Sequence, residues 1–435
     1  MSMTFYIYAY GCQMNVHDSE IISGILDSEG FHSTEDPESA DVILLVSCAV
    51  REHAETRVLG RLSQLGGWWR ERKSGKPLMV LCGCVAQEHG DSLLERFCDL
   101  DLVVGPDCYR DLPELIKGSA RKSVVDFREG DYTGVEPVRT AFPRAFVTIM
   151  RGCNNFCSYC IVPYVRGREH SRKSDAILSE VAALSRSGYG EITLLGQNVN
   201  SYIDGETPFP LLLQKVAAAA RNSWIRFVTS HPKDLDRETV KVMASGRNIC
   251  SYLHLPVQSG SDSVLKKMNR GYTVGEYLKR IDILRDAMPD IVLSTDVIAG
   301  FPGESEEDFQ KTAGLLEKVR FDNAFLFKYS ERTGTTACSL ENSVHEKERL
   351  ARLNHLQELQ RRITIEKSGE LLGRTLSILI TGPAKKPLQQ AGRTEGNRMV
   401  ILENTDFPPG SFVNVEITRA DGWTHFGVPC GNPQN

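Results

Sequence analysis

The first 115 residues alternate short apolar runs with amphipathic stretches. Residues 4–10 (TFYIYAY), 41–47 (DVILLVS), 77–82 (PLMVLC) and 101–105 (DLVVG) are strand-sized. Between them DSEIISGILDSEG, AETRVLGRLSQL and DSLLERF place apolar residues at helical spacing, the first with Asp18 as its N-cap. Such β-α repetition predicts a parallel sheet in an N-terminal α/β domain, residues 1–118. Over residues 119–143 the periodicity fades and Gly and Pro accumulate, which predicts a linker.

A second alternation starts at residue 146, with strand-like runs at 146–150, 191–196, 225–230, 252–257, 291–298 and 324–329. Helical patterns separate them, for instance SDAILSEVAALSRSG behind a Ser174 cap. Six β/α units fall short of the eight of a complete barrel, so a partial (β/α)6 barrel is expected over residues 144–373. From Glu346 to about Leu372, Leu350, Leu353, Leu356, Leu359 and Ile363 recur at helical spacing and predict a packing helix. Residues 374–435 change character again: RTLSILIT, RMVILEN and SFVNVEITRA, separated by turns, predict a small antiparallel β-barrel of a kind often used on RNA. The fold class is therefore α/β with a C-terminal β-barrel.

The composition, 41% hydrophobic and 25% charged in 435 residues, is that of a globular chain. No apolar run approaches the roughly 20 residues of a membrane span, and MSMTFYIYAYG lacks the basic-then-apolar order of a signal peptide. A cytoplasmic protein with no membrane partner is expected. Net charge is −5, but residues 1–142 carry 14 Lys/Arg against 23 Asp/Glu, which leaves 37 against 33 for the rest. A polyanion should prefer the second part, above all residues 144–173, where six Lys/Arg face Glu169 alone. Trp68 and Trp69 read as packing residues.

Twelve cysteines without a secretory signal point to metal or redox chemistry rather than a disulfide framework. Cys153, Cys157 and Cys160 form CxxxCxxC directly after the first strand of the second alternation. Three thiolates in one loop can hold an iron–sulfur cluster with one iron open to a ligand. The alternative is a structural zinc site in an RNA-binding protein without catalysis, which needs a fourth ligand from elsewhere. Independently, Cys12 follows the first strand, Cys48 the second, and Cys82 and Cys84 stand at the end of the third, so three units each bring a thiol to the carboxyl edge of one sheet. Either Cys82 or Cys84 can complete that set; Cys84 is preferred because GC at 83–84 repeats GC at 11–12.

These motifs in this order resemble the radical S-adenosylmethionine (SAM) methylthiotransferases over nearly the whole chain. The strings that carry the resemblance are YGCQMNVHDSE, VSCAVREHAE, CGCVAQ, RGCNNFCSYCIVPYVRGREHSR, HLPVQSGSDSVLKKMNRGYT, STDVIAGFPGE and AGRTEGNRMV. GCQMN and QSGSDSVLKKMNRGYT are most similar to the tRNA-modifying branch (MiaB type). The family pattern PYTRGxExSR is met with Val165 in place of Thr and His170 before Ser171, departures that touch substrate fit and no thiolate.

The resemblance implies two [4Fe-4S] clusters as metal centres, one on Cys12, Cys48 and Cys84 and one on Cys153, Cys157 and Cys160, with no catalytic residues beyond these ligands. It implies SAM as cofactor, one molecule methylating a bound sulfur and a second supplying a 5′-deoxyadenosyl radical, so that N(6)-isopentenyladenosine beside the anticodon, position 37, becomes its 2-methylthio derivative. Threonylcarbamoyladenosine in tRNA, or a ribosomal-protein aspartate, is the alternative substrate. Gln197, Asn198, Ser230, Gln258 and Asp296 at strand ends, and Gly300 in AGFPGE, are the candidate SAM contacts. Arg166 and Arg168 are read as facing RNA or SAM's carboxylate. Lys385, Lys386, Arg393 and Arg398, in the stretch resembling the TRAM domain, are candidate RNA contacts. Partners implied are the tRNA anticodon stem-loop, a low-potential electron donor of flavodoxin or ferredoxin type and a sulfur source, acting on a monomer.

Overall fold

The computed structural model describes residues 3–50, 52–70, 76–118, 120–128, 130 and 132–430. The chain divides into two compact units, the first comprising residues 1–140, 151–154 and 160–170, the second residues 141–150, 155–159 and 171–435.

In the first unit six strands form one wholly parallel sheet: β1 (Thr4–Tyr10), β2 (His32–Ser33), β3 (Val42–Ser47), β4 (Leu78–Gly83), β5 (Leu102–Val104) and β6 (Lys122–Val124), in the order β2-β1-β3-β4-β5-β6. The central strands read as unbroken apolar runs because helices cover both faces. One face packs Val42, Leu44, Val46, Val80 and Cys82 under α1 (Gln13–Ser28); the other packs Ile43, Leu45, Met79 and Leu81 under α2 (Glu52–Arg70). Trp69 is buried in that second layer and Trp68 is partly exposed. Two expectations need correction here. The stretch read as a linker, residues 119–143, begins with an edge strand, since β6 pairs in register with β5; residues 119, 129 and 131 of it lie outside the described residues. Asp18 is not an N-cap, because α1 starts at Gln13 behind Cys12, whose backbone is extended and bonded by Asn15.

The second unit holds β7 (Arg144–Thr148), β8 (Glu191–Leu195), β9 (Trp224–Phe227), β10 (Tyr252–His254), β11 (Val292–Ala299) and β12 (Asn323–Lys328). They pair in parallel as two triplets, β7-β8-β9 and β10-β11-β12, over one continuous apolar core. No pairing joins β7 to β12 among the described residues, so this is an open, partial barrel. The helix cap expected at Ser174 falls one residue earlier, on Lys173. The long helix runs Glu346–Gly369 and buries Leu356, Leu359 and Ile363 as its spacing predicts, whereas Leu350 is exposed and Arg349 and Arg352 take the inward positions beside it.

Strands β13 (Thr375–Pro383), β14 (Gln389–Thr394), β15 (Met399–Glu403), β16 (Phe412–Asp421) and β17 (Thr424–Pro429) close a barrel in the order β13-β14-β15-β17-β16. Residues 431–435, which the sequence reading also assigned to it, lie outside the described residues. The barrel is not wholly antiparallel: β15 and β17 run parallel. A closed ring of five strands cannot alternate direction throughout, so one parallel pair is a geometric necessity. Leu379 and Phe412 pack with Trp224, Cys250 and Tyr252 of the partial barrel in a shared apolar cluster. Arg398 forms an ion pair with Asp322, both buried, and Lys367 reaches the same carboxylate at 3.0 Å.

Candidate functional site

Strand register delivers the first thiol set. Tyr10, Ser47 and Gly83 are aligned neighbours at the carboxyl ends of β1, β3 and β4, and Cys12, Cys48 and Cys84 follow within one or two residues. Glycine makes the approach possible. Gly11 (φ +134°) would place a Cβ 2.5 Å from that of Cys48, and Gly83 (φ +95°) would place one 2.6 Å from the Ser47 carbonyl oxygen. The repeated GC pair is thus a steric requirement of bringing three loops together.

The Cys48 thiol donates to Cys12, which draws Cys12 below the ordinary thiol range and pushes Cys48 above it. Burial pushes Cys84 up, opposed by the Arg166 guanidinium. Cys84 is the first residue of α3 (Cys84–His89) and packs on the α2 face of the sheet, while Cys82 points into the opposite core, fully buried among Val46, Val80 and Val104. An unbroken strand would hold these i and i+2 positions on one face; Gly83, at φ +95°, turns the chain out of β4 and so separates the two cysteines. Among the described residues, the only three potential ligand atoms within 4.8 Å of one another belong to Glu55, Glu88 and His89. The three thiols of this set therefore do not all lie within 4.8 Å of one another. This set of soft donors fits a cluster of several irons.

Cys153, Cys157 and Cys160 sit in a loop distributed over both units. In the first, the Cys153 amide donates to the Gly167 carbonyl at 3.2 Å. In the second, Arg270, itself buried, donates to Cys157 Sγ at 3.3 Å and to Tyr159 Oη at 3.3 Å.

The candidate SAM contacts collect at strand ends of the partial barrel. Asn198, buried beyond β8, is already engaged: it donates to Asp234 at 2.7 Å and accepts the His231 amide at 3.2 Å, which makes it a brace between two loops. Gln258 (φ +71°) donates its amide to the Asp296 carbonyl at 2.8 Å. Asp296 faces His254 at 3.4 Å, and Gln197 lies half-buried beyond β8. Ser230 Oγ, His231 Nε2 and Gln258 Oε1 are buried without a hydrogen-bond partner among the described residues. Orphaned polar atoms at the carboxyl ends of strands fit the polar end of an amino-acid ligand such as SAM. The bare face of Gly300 meets Arg349, 2.5 Å from where a Cβ would stand, so its lack of a side chain serves packing rather than approach to an adenine.

His231 was not evident from sequence, where nothing marks it beyond following Ser230. Burial, with Arg270 and Lys233 nearby, lowers its pKa to about 2 from an ordinary 6.5. Protonation therefore favours the unfolded chain, and the stability it permits at neutral pH is lost as pH falls below 6.5. The cost is roughly 1.4 kcal/mol per pH unit from this one group. Unfolding midpoints measured at pH 7.5, 6 and 5 should fall more steeply in the natural chain than in His231→Gln; parallel slopes would contradict it.

The basic residues require the largest correction. Arg166 is buried and paired with Asp18, so it faces neither phosphate nor SAM. Arg151 pairs with Asp107, Arg172 with Glu180 and Lys173 with Asp204, so the basic run 144–173 is largely neutralised by carboxylates outside it. Arg168 is exposed. In the small barrel Arg398 is held by Asp322, and Arg393 is half-buried, bonded to Asn397 at 2.5 Å. Lys385 and Lys386 are exposed on the turn between β13 and β14.

Thiol sets ahead of and within a partial β/α barrel, with a small β-barrel behind, define a radical-SAM enzyme carrying an RNA-binding module. Family models agree: the radical SAM superfamily matches residues 147–316, uncharacterized protein family UPF0004 residues 4–105, and the TRAM domain residues 369–429. The tRNA-2-methylthio-N(6)-dimethylallyladenosine synthase of Parabacteroides distasonis is 44% identical over 436 residues, 98% of this chain and 95% of that protein. The protein of that name from Pelodictyon phaeoclathratiforme is 44% identical over 98% of each chain. Among solved structures, the radical SAM methyltransferase TsrM of Kitasatospora setae, with cobalamin and a [4Fe-4S] cluster bound, shares the fold with a TM-score of 0.56 at 13% identity, over 90% of this chain and 77% of that one. The chain belongs to the tRNA-2-methylthio-N(6)-dimethylallyladenosine synthase family, radical-SAM transferases whose cofactors are SAM and [4Fe-4S] clusters. No helix of the described residues is long and apolar enough to cross a membrane.

Proposed function

We propose that the chain methylthiolates carbon 2 of N(6)-isopentenyladenosine at position 37 of tRNA, with Cys12, Cys48 and Cys84 holding one cluster and Cys153, Cys157 and Cys160 the other. The observation that carries this reading is the convergence of Cys12, Cys48 and Cys84 at one sheet edge in a chain that also bears CxxxCxxC. When bound, the clusters and SAM supply sulfur activation and the radical that opens the carbon–hydrogen bond.

The chain's own residues hold, orient and shield. Asn198 braces the loops beyond β8 and β9, and Ser230, His231 and Gln258 offer polar atoms to SAM. Phe325 and Phe327, paired in register with Asp296 and Ile298, leave 42% and 38% of their surface exposed on one face of β12 and offer apolar contact to the prenyl group. Lys385, Lys386 and Arg168 are exposed cations that would contact phosphate. The reading places the chain in the cytoplasm as a monomer, served by a low-potential electron donor and a sulfur source.

Burying a five-carbon group contributes about 0.8 kcal/mol per methylene-sized unit, several kcal/mol in all. Anticodon-loop RNA carrying isopentenyladenosine should therefore be converted at least about tenfold faster than the unmodified loop, as read by nucleoside mass spectrometry. Equal conversion of both loops, or product only from a threonylcarbamoyl-modified loop, overturns the isopentenyl assignment.

A further inference from the structure

The helix α4 (Val162–Arg166) begins two residues after Cys160 and belongs to the first unit, where Ile161 and Val165 are buried in the layer that also contains Cys84. Its last residue, Arg166, turns inward. The guanidinium Nε donates to Cys84 Sγ at 3.0 Å, while Nη1 and Nη2 donate to the two carboxylate oxygens of Asp18 at 3.3 and 2.5 Å. Arg166 is 5% exposed and Asp18 3%, and the Tyr109 hydroxyl lies 3.4 Å from Asp18 Oδ2. Asp18 stands on α1, the helix that Cys12 caps.

One guanidinium thus spends all three of its nitrogens on the surroundings of Cys12 and Cys84, yet it is carried by the chain segment that leaves Cys160. A buried arginine with a bidentate carboxylate partner has a fixed orientation. Its Nε–H is therefore aimed at the sulfur rather than free to sample water. Had Arg166 served stability alone, an apolar residue would fill that space without the desolvation of a charge pair.

We propose that Arg166, oriented by Asp18, is a positioning residue that fixes Cys84 and raises the reduction potential of the cluster on Cys12, Cys48 and Cys84, so that the segment following the Cys153–Cys160 loop governs the neighbouring cluster. Hydrogen bonds to the sulfurs of such a cluster stabilise its more negative, reduced state, as does a nearby positive charge. Removing Arg166 removes both and leaves Asp18 unbalanced, so the cluster becomes harder to reduce. The proposal rests on the assignment of Cys84 as a ligand.

The test uses the full chain with Cys153, Cys157 and Cys160 changed to Ala, reconstituted with iron and sulfide, so that one cluster remains to titrate. Its midpoint potential is read by electron paramagnetic resonance during dithionite titration, with iron content measured alongside. Arg166→Gln should keep the iron and shift the midpoint negative; Arg166→Lys, which retains charge without the aligned Nε–H, should shift it less. The double variant Asp18→Asn, Arg166→Gln, which leaves no unpaired buried charge, should also keep the iron and titrate below the parent, and it carries the test should the single variant fail to fold. An unchanged midpoint in that double variant with iron retained overturns the proposal. Cys84→Ala in the same background separates the two failures: retained iron there overturns the ligand assignment, whereas lost iron there with an unmoved midpoint in the arginine variants overturns the role of Arg166 alone.

Discussion

Cys84→Ala is expected to halve the iron of the reconstituted protein, from about eight atoms per chain to about four, and to abolish methylthio product while reductive cleavage of SAM continues. Cys82→Ala, two residues away, should keep both the iron and the product. The contrast follows from the turn at Gly83, whose positive φ takes the chain out of β4 between the two cysteines. Cys82 lies within the strand, opposite Val46 and inside the apolar layer beneath α1, where burial drives its thiol far up and none of Cys12, Cys48 and Cys84 shares its cluster. Cys84 lies past the strand end, beyond a glycine that only a positive φ can accommodate, within reach of Arg166 and of the field of Cys12. A side chain committed to the opposite core of the sheet cannot reach the other thiols. Inductively coupled plasma analysis of iron, with product by mass spectrometry, reads both effects. Iron lost from Cys82→Ala and retained in Cys84→Ala would reverse the assignment.

The register of the thiols was legible in the sequence because it rests on short-range rules. Apolar runs of strand length, each followed by a cysteine and then a helical pattern, put those cysteines at one edge whatever the details of packing. The choice between Cys82 and Cys84 needed the face of the strand, which the GC repeat only hinted at; the structure supplies the reason in the closeness of Gly11 to Cys48 and of Gly83 to Ser47. The edge strand Lys122–Val124 was not legible, since three residues with two polar members carry no period to detect.

Charge was where reading along the chain went furthest astray. Counting Lys and Arg over residues 144–173 treats each as free, yet Asp18 and Asp107, which neutralise Arg166 and Arg151, stand 148 and 44 residues before those arginines in the chain. A buried charge must be paired, and its partner is chosen by the fold rather than by sequence neighbourhood. In a β/α fold the partners arrive from other strand ends. The basic residues least constrained by pairing are then those on exposed turns, Lys385 and Lys386, and not the arginines inside the strands.

The same logic predicts that Arg398→Ala acts through stability. Arg398 is 4% exposed and bonded to Asp322, which is 2% exposed, so truncating it leaves a carboxylate buried with less than its full complement of charge. Breaking such a pair from one side costs about 3–5 kcal/mol, and the Lys367 ammonium at 3.0 Å from Asp322 should hold the loss to the lower end. Leu379 and Phe412 tie the small barrel to Trp224 and Tyr252 through the same unit, so the loss should appear as a lower thermal transition of that unit and faster proteolysis of the small barrel. The pair Asp322→Asn, Arg398→Met, which removes both charges, should recover much of it. An arginine that contacted phosphate would behave oppositely: Arg398→Ala would leave the transition unmoved, weaken tRNA binding and reduce the salt dependence by about one released counterion. Calorimetry and filter binding on one preparation distinguish the two, and an unmoved transition with weakened binding would return Arg398 to the RNA-facing surface.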